Sequence, residues 1–234
     1  MERTAQLTFS PPRRRPAGFD EATLAELNDR FEMAAPSQIV KWAVETFGQS
    51  LCLSASMADA VLIDIATQVD PHVEVIFLDT QYHFPETLVT LERIWDRYDL
   101  NLRIMRPEVP LDDRWRTDVD ACCGVRRVDQ LDRALEGKQA WMSGLRRSEA
   151  ATRADARIVA VDRRGLVKIN PLATWSDLDV SGYIDDHDVI VNPLVEQGYP
   201  SIGCWPCTRP VADGEEPRAG RWADLEKLEC GIHL

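Results

Sequence analysis

Val73-Glu74-Val75-Ile76-Phe77-Leu78 runs almost without polar interruption into Asp79-Thr80. A strand with one wet face alternates apolar and polar residues, whereas a near-continuous apolar run marks a parallel strand covered on both faces. Upstream, Leu51–Leu53 is a second short apolar run, leading into Ser54-Ala55-Ser56 and then a helical pattern carrying Val61, Leu62, Ile65, Ala66 and Val69. Downstream, Pro85 opens a helix carrying Leu88, Leu91, Ile94, Trp95 and Tyr98, and a strand follows over Leu102–Met105. Strands alternating with helices of this length predict an α/β fold with a mainly parallel sheet.

The rest of the chain extends that reading. Leu24, Leu27 and Phe31 share one face of a helical stretch that begins at Asp20, while Pro36 opens and Gly48 closes a second helix. A helix is expected from about Cys122 to Glu136, then a core strand over Ala140–Ser143 leading into Gly144. Arg157–Val161 and Leu166–Ile169 predict a hairpin about Asp162–Gly165, and Ser176 caps a helix carrying Leu178, Val180, Tyr183 and Ile184. From Gly198 onward glycine and proline predict irregular chain, with one short helical pattern between Arg221 and Cys230. The expected organisation is one domain over 20–220, a flexible N-terminal tail over 1–19, and a C-terminal tail over 221–234.

Composition narrows the function classes. With 27 Lys and Arg against 39 Asp and Glu, the 234-residue chain carries −12, which argues against general affinity for nucleic acid or anionic membrane. At 44% hydrophobic and 28% charged it is an ordinary globular sequence, neither collagen, coiled coil nor disordered. No run approaches the roughly 18 apolar residues of a membrane span. The first 19 residues hold four arginines (3, 13, 14 and 15) against Glu2, a local +3, but no apolar core follows as in an export signal. A cytoplasmic protein with reduced thiols is expected.

Four cysteines form the strongest constellation: the adjacent pair Cys122-Cys123 and the pair in Cys204-Trp205-Pro206-Cys207. In a reducing compartment they suit a zinc ion, an iron–sulfur cluster or inert buried thiols. The adjacent pair departs from the usual Cys-x2-4-Cys spacing of structural zinc, and a thioredoxin-type dithiol ordinarily lies earlier in a chain. Cys52, inside Leu51-Cys52-Leu53, reads as core. Cys230, in Glu229-Cys230-Gly231-Ile232-His233, lies at a chain end where packing seldom demands a cysteine; it is the candidate nucleophile, with His233 placed to help hold a thiolate. Ser54, Ser56 and Asp59 lie in a strand-to-helix loop of the kind that accepts anions, although no glycine is present. Asp79-Thr80 sits where open α/β sheets bind ligands. Gly144-Leu145-Arg146-Arg147 with Arg153, Arg126-Arg127, and Arg218 with Arg221 concentrate guanidinium groups in an acidic chain, which suits a phosphate or sulfate pocket.

Together these residues resemble the assimilatory adenylyl-sulfate (APS) reductases, thioredoxin-dependent members of the PAPS/APS reductase family. The resemblance runs from about Ser50 to His233. Its further motifs are Leu78-Asp79-Thr80 with Tyr82-His83-Phe84, Thr152-Arg153, Asn192-Pro193-Leu194 and Arg218-Ala219-Gly220-Arg221-Trp222. It implies a doubly wound, mainly parallel sheet of the adenine-nucleotide α-hydrolase type with a mobile C-terminal tail. It implies one [4Fe-4S] cluster on Cys122, Cys123, Cys204 and Cys207, with Arg126 and Arg127 near it. Ser54, Ser56, Asp59, Leu78, Gly144 and His233 would line the nucleotide site, and Arg146, Arg147, Arg218 and Arg221 would face the phosphosulfate. Cys230 would attack sulfur, AMP would leave, and thioredoxin would release sulfite, within assimilatory sulfate reduction and cysteine biosynthesis.

Three positions depart from the family pattern: Arg127 where lysine is usual, Gln81 where glycine is usual, and Trp205 where a small residue is usual. The rival PAPS reductase branch typically lacks the cluster cysteines. ATP pyrophosphatases of this fold, including iron–sulfur tRNA thiolases, carry a Ser-Gly-Gly loop that Ser54-Ala55-Ser56 does not match. A zinc-stapled binding module explains four cysteines but neither Cys230 nor the arginines.

Overall fold

The structure, a computed structural model, describes residues 18–223, 225 and 227–233. Most of the stretch expected as an N-terminal tail, residues 1–17, lies outside the described residues. Phe19 already belongs to the body, stacked on Phe47 at 5.5 Å. Two helices lead in, α1 (Glu21–Phe31) and α2 (Pro36–Phe47). Asp20 caps the first through the Thr23 amide at 2.8 Å, and Pro36 presets the first turn of the second.

Six strands form one sheet: β1 (Leu51–Ala55), β2 (Val75–Leu78), β3 (Leu102–Met105), β4 (Ala140–Ser143), β5 (Val159–Val161) and β6 (Val167–Ile169). Their spatial order is β3-β2-β1-β4-β6-β5, parallel throughout except for edge strand β5. Helix α3 (Val61–Val69) links β1 to β2 and α4 (Pro85–Tyr98) links β2 to β3. Between β3 and β4 come α5 (Arg114–Thr117), α6 (Val119–Cys123) and α7 (Asp129–Ala134), and α8 (Asp177–His187) follows β6. The chain therefore winds outward from β1 in one direction and from β4 in the other. The crevice between their C-terminal ends, where Ser54 pairs with Ser143, is the topological switch point.

Side chains alternate across the strands and feed two cores. Leu51, Leu53, Val75, Phe77 and Met142 face α1–α4, while Cys52, Ile76 and Trp141 face α7. On α4, Leu91 and Ile94 are buried, but Leu88 and Trp95 of the same apolar pattern are exposed. The second core is completed by the C-terminal segment, through Trp222 (4% exposed), Cys230 (6%) and Ile232 (7%). The tail is thus seated as a layer of the fold in this structure. The helical pattern expected before Cys230 does not form a helix among the described residues.

The single helix expected from Cys122 to Glu136 is also different. It begins at Val119, where Asp118 caps the Ala121 amide at 2.9 Å, and is interrupted by a π turn over Gly124–Val128. A π turn adds a residue to one helical turn and re-aims the helix beyond it. Here it separates the double cysteine from α7 and contains both Arg126 and Arg127.

Gly220 secures the irregular C-terminal region. Its carbonyl accepts the Arg209 amide, and a side chain there would put Cβ 2.1 Å from the Arg209 carbonyl oxygen. Gly220→Ala is expected to cost about 3 kcal/mol of stability, because the obstacle is backbone with no rotamer to yield. Denaturant unfolding reads this directly, and a wild-type midpoint would contradict it.

Candidate active site

A cleft of about 180 Å³ opens at the switch point. Its floor is the Ser54–Asp59 loop with Leu78 and Ser143-Gly144, and its far wall is Arg218 together with Arg221 and residues 229–233 of the C-terminal segment. The loop does without glycine because Met57 takes the left-handed conformation (φ 61°) with its side chain fully buried. Such a backbone costs on the order of 1 kcal/mol for a residue with a side chain. The Asn192 segment braces it: Asn192 Nδ2 donates to the Met57 carbonyl at 3.1 Å and its amide to the Ala58 carbonyl at 2.9 Å. Asp59 turns inward to accept the Val61 amide at 3.0 Å, and burial pushes its carboxyl above the usual range despite that bond and nearby Arg146.

The predicted arginines divide into groups. Arg146 lines the cleft but spends one arm of its guanidinium on Asp177 at 2.5 Å. Arg147 is not brought to the cleft: it forks onto Glu32 at 2.5 and 3.0 Å and donates Nε to the Ala156 carbonyl. Arg218 and Arg221 both line it. Arg126 lies deeper and is buried against the Tyr82 ring, donating to Gln81 Oε1 and the Pro110 carbonyl, each at 2.6 Å. Gln81 itself is left-handed (φ 67°), so a glutamine occupies a conformation that glycine favours and holds Arg126 in return. Arg127 was expected only beside the cysteines, yet it lines the cleft as well.

The four cysteines converge on a second, smaller pocket. Cys122 and Cys123 enter from α6, Cys204 and Cys207 from either end of the Trp205–Cys207 turn, and Arg126, Arg127 and Arg221 share the walls. The Cys204 strand is held by an antiparallel bridge to His83, by the Trp205 amide on the Tyr82 carbonyl at 2.8 Å, and by Thr80 Oγ1 at 3.3 Å from Sγ. Trp205 points away from the pocket, half exposed, with its ring 5.9 Å from Trp115. Gly203 leaves room for Arg221, whose guanidinium would lie 2.5 Å from a Cβ there and stacks on Trp222 at 4.4 Å. All six cysteines are free. Among the described residues, no three Cys, His, Asp or Glu side chains close to the spacing of a single metal ion.

Electrostatics set one thiol apart. As bare thiols, Cys123 is pushed up to about 12 and Cys207 to about 11, mainly by burial. Cys230 is more deeply buried than either, yet Arg127, the Ile232 amide and Arg221 outweigh that burial and bring its pKa below the usual thiol value. Burial, with Arg127 and Arg218 behind it, brings Arg221 down to about 10, so it stays charged at neutral pH. His233 stacks on Trp141 at 6.2 Å and is held neutral, first by burial and then by Lys168 and the arginines. It therefore adds no positive charge beside the thiolate.

Sequence grouped Arg153 with the anion-binding arginines but assigned no role to Glu229 or Lys168. Arg153 lines the cleft and forks onto Glu229 at 2.7 and 2.9 Å. Buried Lys168 sits 5.3 Å from the Trp141 ring and donates to the His233 carbonyl. The signal for Lys168 was present, a lone cation inside the apolar strand Leu166–Ile169; Glu229 and Arg153 stood in motifs, but nothing local paired them.

Residues 49–210 match the family model described as phosphoadenosine phosphosulfate reductase domain. The chain belongs to this family. Among its relatives, the adenosine 5'-phosphosulfate reductase of Streptomyces coelicolor is 45% identical, covering 90% of this chain and 93% of that protein. The adenosine 5'-phosphosulfate reductase of Mycobacterium tuberculosis is 44% identical, over 86% of this chain and 89% of its own. In three dimensions, the family resemblance extends to the phosphoadenylyl-sulfate reductase of Candida auris, solved as a phosphate complex. The TM-score is 0.73 at 27% identity, over 82% of this chain and 98% of that one. The fold alone is shared with the FMN adenylyltransferase of Candida glabrata, at TM-score 0.59 and 11% identity.

Proposed function

We propose that the protein reduces adenosine 5'-phosphosulfate to sulfite and AMP, with thioredoxin as electron donor, through a sulfonate carried on Cys230. The observation that carries this reading is the contrast among thiols: Cys230 is the cysteine that borders the cleft, and there arginines outweigh burial, whereas burial prevails at Cys122, Cys123 and Cys207. Relatives named for this substrate match over nine-tenths of the chain. The reaction belongs to assimilatory sulfate reduction in the cytoplasm, ahead of cysteine biosynthesis; no described helix is long and apolar enough to cross a membrane.

Adenosine fits the switch-point crevice beside Leu78 and Gly144, with its phosphosulfate directed toward Arg127 and Arg221. These are the two cleft guanidiniums without a carboxylate partner among the described residues. The Cys230 thiolate attacks the sulfo sulfur; an S–S bond forms, the S–O bond breaks, and its electron pair leaves with AMP. AMP leaves readily because the second pKa of a phosphate monoester is roughly 6. A thioredoxin thiolate then attacks Cys230 Sγ, the S–S pair departs as sulfite, and the second thioredoxin thiol restores Cys230. Two electrons pass from the dithiol to sulfur.

The small pocket fits a [4Fe-4S] cluster. Four free thiols face it at wider than single-ion spacing, and Arg126, Arg127 and Arg221 each leave a buried Nε–H without a partner. Orphaned donors around a thiol-lined pocket suit an anionic group rich in acceptor sulfur. Cys122, Cys123, Cys204 and Cys207 would hold it, and when bound it supplies fixed charge and cross-links α6 to the Trp205–Cys207 turn. The reduction scheme itself needs only thiol chemistry.

Protein purified without air, then given APS, thioredoxin, thioredoxin reductase and NADPH, is expected to form sulfite and AMP in equal amounts. AMP without sulfite would overturn the reading. Cys207→Ser is expected to lose most iron and acid-labile sulfide; zinc in the wild-type protein instead of iron would contradict the cluster assignment.

A further inference from the structure

The residue before the nucleophile, Glu229, is held by two arginines. Glu229 Oε1 and Oε2 accept Arg153 Nε and Nη2 at 2.7 and 2.9 Å, and Oε2 also accepts Arg218 Nη2 at 3.1 Å. Thr152 Oγ1 lies 3.4 Å from Oε1. All three ion-pair partners are largely shielded, with side-chain exposures of 10% for Arg153, 13% for Glu229 and 14% for Arg218. Forked arginine–carboxylate pairs at such sites fix orientation as well as adding attraction. Arg153 also pairs with Glu149 at 2.5 Å, a partner outside the C-terminal segment that holds its guanidinium in place. Arg218 reinforces the dock by donating to the Leu228 carbonyl at 3.1 Å. The tail's other ion pair, Lys227 with Asp120, ends on a carboxylate that is 80% exposed, where such pairs contribute little.

We propose that Glu229 is a positioning residue: clamped between Arg153 and Arg218, it seats the C-terminal segment so that Cys230 closes the cleft. This rests on the reading of Cys230 as nucleophile. It also assigns the arginines their division of labour. Glu229 neutralises Arg153 and Arg218 in the closed state, leaving Arg127 and Arg221 for the thiolate and the incoming anion. Opening the tail separates Glu229 from both guanidiniums, so closure is favoured by low salt and opposed by screening.

The test is iodoacetamide alkylation of Cys230 in the folded, cluster-loaded protein, followed on the peptide 228–234 by mass spectrometry. Rates are compared on their high-pH plateau, where the thiol is fully ionised and only access differs. Glu229→Gln is expected to raise the plateau about tenfold or more, by increasing the open fraction, and to remove its salt dependence. The same variant should form the Cys230 sulfonate correspondingly slower while binding AMP no more weakly, and Glu229→Asp should restore part of both losses. A wild-type plateau in Glu229→Gln would overturn the proposal, as would full-rate sulfonate formation despite an exposed thiol. Should the wild-type protein itself form no sulfonate, the nucleophile reading fails, while the alkylation rates still decide whether Glu229 seats the tail.

Discussion

Cys230→Ser is expected to fold, keep its iron and bind AMP, yet form no sulfite above background. The expected loss is on the order of 10⁴-fold or more, as for removal of a covalent nucleophile elsewhere. A serine hydroxyl at this position has a far higher pKa, so Arg127 and Arg221 cannot ionise it as they do the thiol. An ester of sulfate formed on serine would also be useless to thioredoxin, which needs a sulfur to attack. Folding should survive because serine is close to isosteric, although Cys230 contributes to the second core and some stability is lost. Sulfite assay beside an AMP-binding titration separates the two effects. Turnover by Cys230→Ser within tenfold of wild type would rule Cys230 out as the nucleophile.

The second large effect is at Arg127. Its guanidinium lines both the cleft and the cysteine pocket, and it is the foremost charge opposing the desolvation of the Cys230 thiolate. Conversely, Cys230 is the main influence raising the pKa of Arg127. Arg127→Met keeps most of the side-chain length and deletes the charge. Sulfonate formation is expected to fall by about 10²–10³ at neutral pH, the usual cost of removing one electrostatic stabiliser at a reacting centre. The pH profile fixes the cause. Because the wild-type pKa of Cys230 is lowered, the thiolate-dependent limb should rise at a pH below the ordinary thiol value and vanish as pH falls through it. In Arg127→Met that limb moves upward, so high pH recovers the ionisation component and leaves only the loss in sulfo-group stabilisation. An unmoved limb would show that Arg127 does not act on the thiol. Lysine at this position keeps the charge but not the fork, so Arg127→Lys should be intermediate.

Much of the architecture was legible because parallel strands are uniform runs. Leu102–Met105 and Ala140–Ser143 occur as strands at their expected bounds, and Leu51–Leu53 extends by two residues into the loop. What periodicity could not reveal was the π turn over Gly124–Val128, since one added residue in a short helix leaves no readable change in spacing. Adjacent residues also misled: Arg146 ends an extended stretch while Arg147 opens a 3-10 turn and pairs with Glu32, so only one reaches the cleft. The C-terminal segment looked like a free end with one short helical pattern, Trp222, Leu225 and Leu228. No helix forms there among the described residues, and of these three Trp222 is buried while Leu225 and Leu228 are exposed. Trp222 and Ile232 are buried individually by irregular chain. Glu229 and Arg153 are 76 residues apart, and nothing local to either announces the pair.

Chemically, the most distinctive residues were the cysteines: their positions in the sequence marked Cys230 as the candidate nucleophile and the two pairs as candidate ligands, but gave no physical reason for the difference. The fold separates them by charge: arginines favour ionised Cys230, while desolvation dominates at Cys123 and Cys207. The most direct measurement is intact-mass analysis of the anaerobically purified protein after mixing with APS in the absence of any reductant. One added sulfonate per chain is expected, localised to Cys230 and discharged as sulfite when reduced thioredoxin is added. An unmodified chain, with APS bound and the iron intact, would contradict a covalent role for Cys230.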